Sequence, residues 1–145
     1  MSKIHIQSTD IEYAESDVIT FEEGIIGLPH LRRMVVINQP EIVPFLWLAS
    51  VEEPETAFLV MEPHSQFEDY EPSIPSQTRV RIGLAENEEP LLLTIVRITP
   101  EWQQTTVNLR APLVVGPSSM RGTQLVLTES NYSVEQPLAL LSAAA

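Results

Sequence analysis

Twelve prolines are spread along 145 residues, and they fall between short apolar runs instead of inside them. A proline supplies no backbone N–H and fixes φ, so strands in such a chain must end where the prolines stand. Pro40, Pro44, Pro54, Pro63, Pro72, Pro75, Pro90, Pro100, Pro112 and Pro117 punctuate MVVIN, FLWLAS, AFLVM, LLLTIVRI, LVV and QLVL, all rich in Val, Ile, Leu or Phe. Ile4 and Ile6, alternating with polar neighbours, add a strand near the start. This spacing predicts an all-β, mainly antiparallel domain, a small β-barrel-like or sandwich fold of about eight to eleven strands with little helix.

Residues 75–89 are the main candidate for a helix. Ser76 stands where it could cap the start and Gly83 where it could end it, yet Val80 and Ile82 alternate with Arg79 and Arg81 as in a strand, and both readings stay open. One domain is expected over residues 1–145. The tail at 136–145 is helical in composition but too short to be stable alone, and it is expected to be frayed or weakly docked. The 43% hydrophobic and 19% charged residues suit a soluble, folded chain, and no apolar run reaches membrane length. No secretory signal pattern follows the N-terminal lysine, so the cytoplasm is the expected location. Cysteine is absent, which removes disulfides and thiolate chemistry.

Twenty acidic against eight basic residues give a net charge of −12, a field that repels phosphate backbones and attracts basic proteins. Direct nucleic-acid binding and membrane association are not expected, and a monomer is. His5, His30 and His64 are isolated, so neither a metal nor another cofactor is expected. Carboxylates cluster at Glu22/Glu23, Glu52/Glu53/Glu55, Glu68/Asp69/Glu71 and Glu86/Glu88/Glu89, beside turn signals that suit solvated loops. A small β-barrel hydrolase using a pair such as Glu53 with Asp69 is the enzymatic alternative. No nucleophile elbow, phosphate loop or dinucleotide fingerprint is present, and no catalytic residue is assigned. Asn131-Tyr132-Ser133 matches the glycosylation acceptor pattern by chance.

The stretch FEEGIIGLP, residues 21–29, holds two of the five glycines. Gly24 and Gly27 can supply positive φ, and the bend returns the chain from VITF to MVVIN. Ile25 and Ile26 either tuck into the core or offer an apolar patch to a partner.

Together with Pro44-Phe45-Leu46-Trp47-Leu48-Ala49-Ser50-Val51-Glu52-Glu53-Pro54, Asp69-Tyr70-Glu71, Thr106-Val107-Asn108-Leu109-Arg110-Ala111-Pro112-Leu113-Val114-Val115 and Gly122-x-Gln124-Leu125-Val126-Leu127, the pattern Phe21-x-x-Gly24-Ile25-x-Gly27-x-Pro29 resembles the bacterial flagellar assembly factor FliW family. The likeness covers nearly the whole chain. Leu28, Ala49 and Gly116 depart from the residues common in the family, and the strand-like segment at 77–89 departs from a helix there. The resemblance implies a non-catalytic β-barrel protein that binds flagellin and, when free, binds the translational repressor CsrA and antagonises its RNA binding allosterically. It implies regulation of flagellin synthesis and flagellum assembly.

Two surfaces are candidates for these contacts. The acidic loop Glu68-Asp69-Tyr70-Glu71 suits a basic partner such as CsrA, with Tyr70 either an aromatic anchor for it or packed into the barrel. For flagellin, whose terminal segments are amphipathic, the candidate is residues 108–115. There Pro112 marks an edge or bulge with open backbone groups, and Asn108 and Arg110 are substitutable without harm to the core. The alternative makes Leu109, Leu113 and Val115 core and Asn108 a turn closer. Phe45, Trp47 and Phe58 are expected in the core, and Trp102 is the aromatic expected to be exposed.

Overall fold

A computed structural model describes residues 2–6, 9–53 and 55–138. Its strands are β1 (Ser2–Ile6), β2 (Thr9–Tyr13), β3 (Val18–Phe21), β4 (Arg33–Ile37), β5 (Phe45–Ser50), β6 (Ala57–Met61), β7 (Leu91–Arg97), β8 (Thr106–Val107), β9 (Leu113–Gly116), β10 (Arg121–Gln124) and β11 (Gln136–Pro137), with one short helix α1 (Ser76–Arg81). The prolines stand where their chemistry requires. Pro40 and Pro63 open 3-10 turns, Pro75 precedes α1, and Pro90 and Pro112 immediately precede β7 and β9. Pro137 is the exception that lies in a strand, and that strand is the outermost of its sheet, where no ladder donor is missed.

Seven strands close on themselves in the order β3-β4-β5-β6-β7-β9-β10, so the fold is a barrel. Antiparallel pairs carry the ring except at the seam, where β10 runs parallel to β3 and matches Arg121 with Thr20 and Gly122 with Phe21. Glycine is needed there, because a Cβ on Gly122 would stand 2.7 Å from the Phe21 ring. QLVL was expected as a strand, but the ladder partner is RGTQ. The chain goes on from Gln124 to Leu127 with the Leu125 and Leu127 amides donating to Pro112 and Arg110 carbonyls.

Strands β3 to β7 and β9 carry apolar residues on both faces because the barrel is filled inside and clad outside. Along β4, Met34 packs into the interior cluster with Phe21, Leu31, Leu48 and Leu113, while Val35 and Ile37 face outward. Tyr13 and Ile11 of β2 cover that outer patch, with Trp47 beside it. A second outer patch, from Met61, Leu92, Val96 and Val114, lies under Tyr70, Ile82, Leu84 and Leu127. Phe45, Trp47 and Phe58 pack against the core clusters as expected, but only half-buried; the Trp47 indole N–H donates to Gln39 Oε1 at 3.0 Å.

Residues 76–81 form a helix, which settles the open segment. Ser76 is its first residue and makes no cap bond; Pro75 occupies the cap position, and Gly83 (φ +66°) ends it. Arg79 secures the following turn by donating to the carbonyls of Ala85, Glu86 and Glu88. Of the tail, residues 136–138 are described, and they are docked: β11 pairs with β8, the Leu138 amide donates to the Thr105 carbonyl, and the Leu138 side chain is buried. Residues 139–145 lie outside the described residues, as do the side chains of His5 and Trp102.

Candidate partner-binding surfaces

The loop after β6 opens with a 3-10 turn at Pro63–Ser65, and two aromatic side chains fasten it down. Tyr70 is 2% exposed, and its hydroxyl donates to the Leu109 carbonyl at 2.6 Å. Its ring meets Tyr132 edge to face with centroids 4.7 Å apart, and the Tyr132 hydroxyl accepts the Glu71 amide at 3.0 Å. His64 donates from Nε2 to the Tyr70 carbonyl at 2.7 Å. Burial, with a smaller contribution from Tyr132, pushes the Tyr70 hydroxyl well above its usual range, so it remains a proton donor. Tyr70 is therefore the pin of this loop and not an exposed anchor. Glu68, Asp69 and Glu71 stay exposed, and a depression of about 620 Å³ lined by Glu68, Asp69, Phe67 and Tyr132 carries acidic and no basic side chains.

The segment at 108–115 is tied into the body rather than left open. Asn108 Oδ1 accepts the amides of Arg110 and Ala111, closing a turn, and Leu109, Leu113 and Val115 are buried. Pro112 is buried too, and its carbonyl accepts the Leu125 amide, so the expected open edge is absent from it. Arg110 reaches across to the carbonyls of Thr128, Ser130 and Tyr132 at 3.2 to 3.4 Å. These contacts tie Arg110 to the 128–132 loop, outside the core that its replacement was expected to spare.

Between Arg110 and the glycine-rich bend lies a groove that sequence reasoning located only in part. Gly24 (φ +71°) lets the chain fold back so tightly that a Cβ there would stand 2.5 Å from the Pro29 carbonyl oxygen. Ile25 and Leu28 then pair across the bend, Ile25 drops into the interior, and Ile26 is left at the rim with its amide donating to Gln124 Oε1 at 2.9 Å. The bend thus closes one mouth of the barrel. The groove beside it measures about 450 Å³ and is lined by Ile26, Phe58, Ile95, Val126 and Val134, with Asn108, Arg110 and Gln124 as polar members. Ile26 was singled out in the sequence; Val126 was read there only as part of the strand run QLVL, and Val134 gave no signal, because it is one apolar residue in a polar stretch.

The carboxylates serve as local supports. Glu52 Oε1 accepts the amides of Arg32 and Arg33 at 2.8 and 2.9 Å, and the Arg33 amide bond leads in holding the Glu52 carboxyl below its usual range. The Ser118 hydroxyl leads in doing the same for Glu88. Glu53, before β6, pairs with His30 at 3.1 Å, whereas Asp69 follows β6 and borders the acidic depression. Glu53 is not among the residues lining that depression, so the structure gives the carboxylate pair of the hydrolase alternative no support. Among the described residues, no three His, Asp or Glu side chains gather as a metal site, and no helix is long and apolar enough to cross a membrane.

A model of the FliW protein family matches residues 5–138. The chain is 31% identical over 138 residues to flagellar assembly factor FliW 2 of Desulfotalea psychrophila, covering 95% of this chain and 91% of that one. Over 131 residues it is 36% identical to the FliW of Natranaerobius thermophilus, covering 89% and 86% of the two chains. It is 35% identical to the FliW of Thermotoga maritima, covering 89% and 87%. A solved structure, the crystal structure of the flagellar assembly factor FliW, superposes with a TM-score of 0.85 at 32% identity, covering 94% of this chain and 96% of that one.

Proposed function

The chain belongs to the FliW family of flagellar assembly factors, and on that premise we propose that it is a cytoplasmic, monomeric, non-catalytic regulator that binds flagellin and, when free of it, CsrA. The family match across residues 5–138 carries this reading. Two exposed surfaces of opposite chemistry support it. The acidic loop at Glu68, Asp69 and Glu71 offers carboxylates to a basic RNA-binding protein, and the groove at the barrel mouth offers apolar side chains to a different client. Tyr70, buried beneath the first surface, sets its shape.

Relief of repression requires that CsrA bound to this chain hold RNA less tightly, and reciprocity then makes RNA weaken the grip of this chain on CsrA. If the acidic loop instead mimicked RNA in the RNA site, excess RNA would fully displace it. Purified chain added to CsrA–RNA complexes is expected to release RNA with a saturable effect that excess RNA does not wholly reverse. Flagellin added to the mixture is expected to restore RNA binding. Failure of the chain to bind both proteins at micromolar concentration in a calorimetric titration would refute the reading.

A further inference from the structure

Two short segments, residues 108–110 and 132–134, share the wall between the acidic depression and the barrel-mouth groove. Asn108 and Arg110 line the groove and Leu109 the depression, while Tyr132 lines the depression and Val134 the groove. The Leu109 amide joins the segments by donating to the Ser133 carbonyl at 3.0 Å, and the Leu127 amide donates to the Arg110 carbonyl at 2.8 Å. Residues 128–132 loop out between these two bonds.

One side chain closes the neck of that loop. Arg110 donates to the Ser130 and Tyr132 carbonyls at 3.4 Å and to the Thr128 carbonyl at 3.2 Å. Hydrogen bonds from a charged donor are the stronger kind, and these come from the groove side of the wall. On the other side the loop delivers Tyr132, whose ring meets Tyr70 and whose hydroxyl accepts the Glu71 amide. A bonded path therefore leads from the guanidinium, through the Tyr132 carbonyl and hydroxyl, to the backbone that carries an exposed carboxylate of the acidic loop.

We infer that Arg110 is a positioning residue for the acidic loop: from the groove side it fixes Tyr132 and, through it, the shape that Glu71 and its neighbours present to a basic partner. This rests on the proposed binding of CsrA at that loop. A loop already held in its bound shape loses less entropy when the partner arrives, so the effect falls on retention of the partner and not on its capture. The sign separates this role from plain electrostatics. Removing the charge of Arg110 makes the chain more acidic, which by itself strengthens attraction for a basic protein.

The test compares the full wild-type chain with Arg110→Met, Arg110→Lys, Tyr132→Phe and the double variant Arg110→Met/Tyr132→Phe. Amide exchange is followed on each free chain, and stopped-flow association and dissociation are measured with CsrA. Arg110→Met is expected to speed both exchange of the Glu71 amide and release of CsrA about tenfold, with exchange in β7 unchanged and capture at low salt no slower. Arg110→Lys keeps the charge and loses the planar fork, so it is expected to recover part of both. Tyr132→Phe is expected to speed the same exchange and release, and adding Arg110→Met to it changes little more, because the two residues act along one path. Wild-type exchange at Glu71 and wild-type release in a folded Arg110→Met chain, additive effects in the double variant, or faster exchange throughout the barrel would overturn the assignment while leaving the functional reading standing. A wild-type chain that does not bind CsrA would remove both.

Discussion

Tyr70 shows how a single side chain can look like an interface residue and be a structural one. In sequence it sits among carboxylates, the setting of a surface aromatic. What decides its place is the Leu109 carbonyl, 39 residues away, and the Tyr132 ring, neither of which local pattern can bring to it. Replacing Tyr70 with Phe keeps the ring and leaves a buried carbonyl without its donor. A loss of about 1 to 3 kcal/mol is expected, read as a lowered denaturant midpoint. An unchanged midpoint would mean that the Leu109 carbonyl finds another partner. The same limit applied at Ile26, where the sequence left core and surface open for both isoleucines of the bend. Tight reversal at Gly24 sends Ile25 in and Ile26 out, a division set by dihedral angles and not by residue type.

Among the elements, the apolar strands were legible because prolines and β-branched runs mark their ends directly. Helix α1 was not, since six residues are too few to display a 3.6-residue period, and the exposed Val80 beside buried Ile82 mimics strand alternation. Strand β10 was missed by three residues because the seam selects for a small residue against Phe21, which no apolar pattern encodes. The entry to β4 is held by Glu52, whose carboxylate accepts the backbone amides of Arg32 and Arg33. Its lowered pKa means that this support is present above the ordinary carboxylate range and is lost as pH falls through the folded-state value. Wild type is therefore expected to melt above Glu52→Ala at neutral pH, with the gap closing in acid. A gap that stays constant from neutral to acidic pH would show that the charge of Glu52 contributes nothing.

Across the whole molecule, composition announced the sign of the field but not its distribution. The net charge of −12 is uneven, with carboxylates bordering the loop after β6 and none lining the barrel mouth. Charge reversal at Glu68 and Asp69 is expected to slow CsrA association at low salt and to weaken its salt dependence, leaving flagellin binding and the melting temperature alone. Stopped-flow rates at several ionic strengths measure this, and equal rates for variant and wild type at low salt would exclude the loop. The architecture was readable as short strands, yet its closure was not, because the seam joins Thr20 and Phe21 to Arg121 and Gly122 from the far end of the chain. That parallel seam also sets when the barrel can close during synthesis. While the ribosome is still translating, β3 has no final neighbour, and Ile19 and Phe21 wait for a strand made near the end. Arg110, Val126 and Tyr132 also emerge late, so a nascent chain has neither surface assembled until the last strands are made.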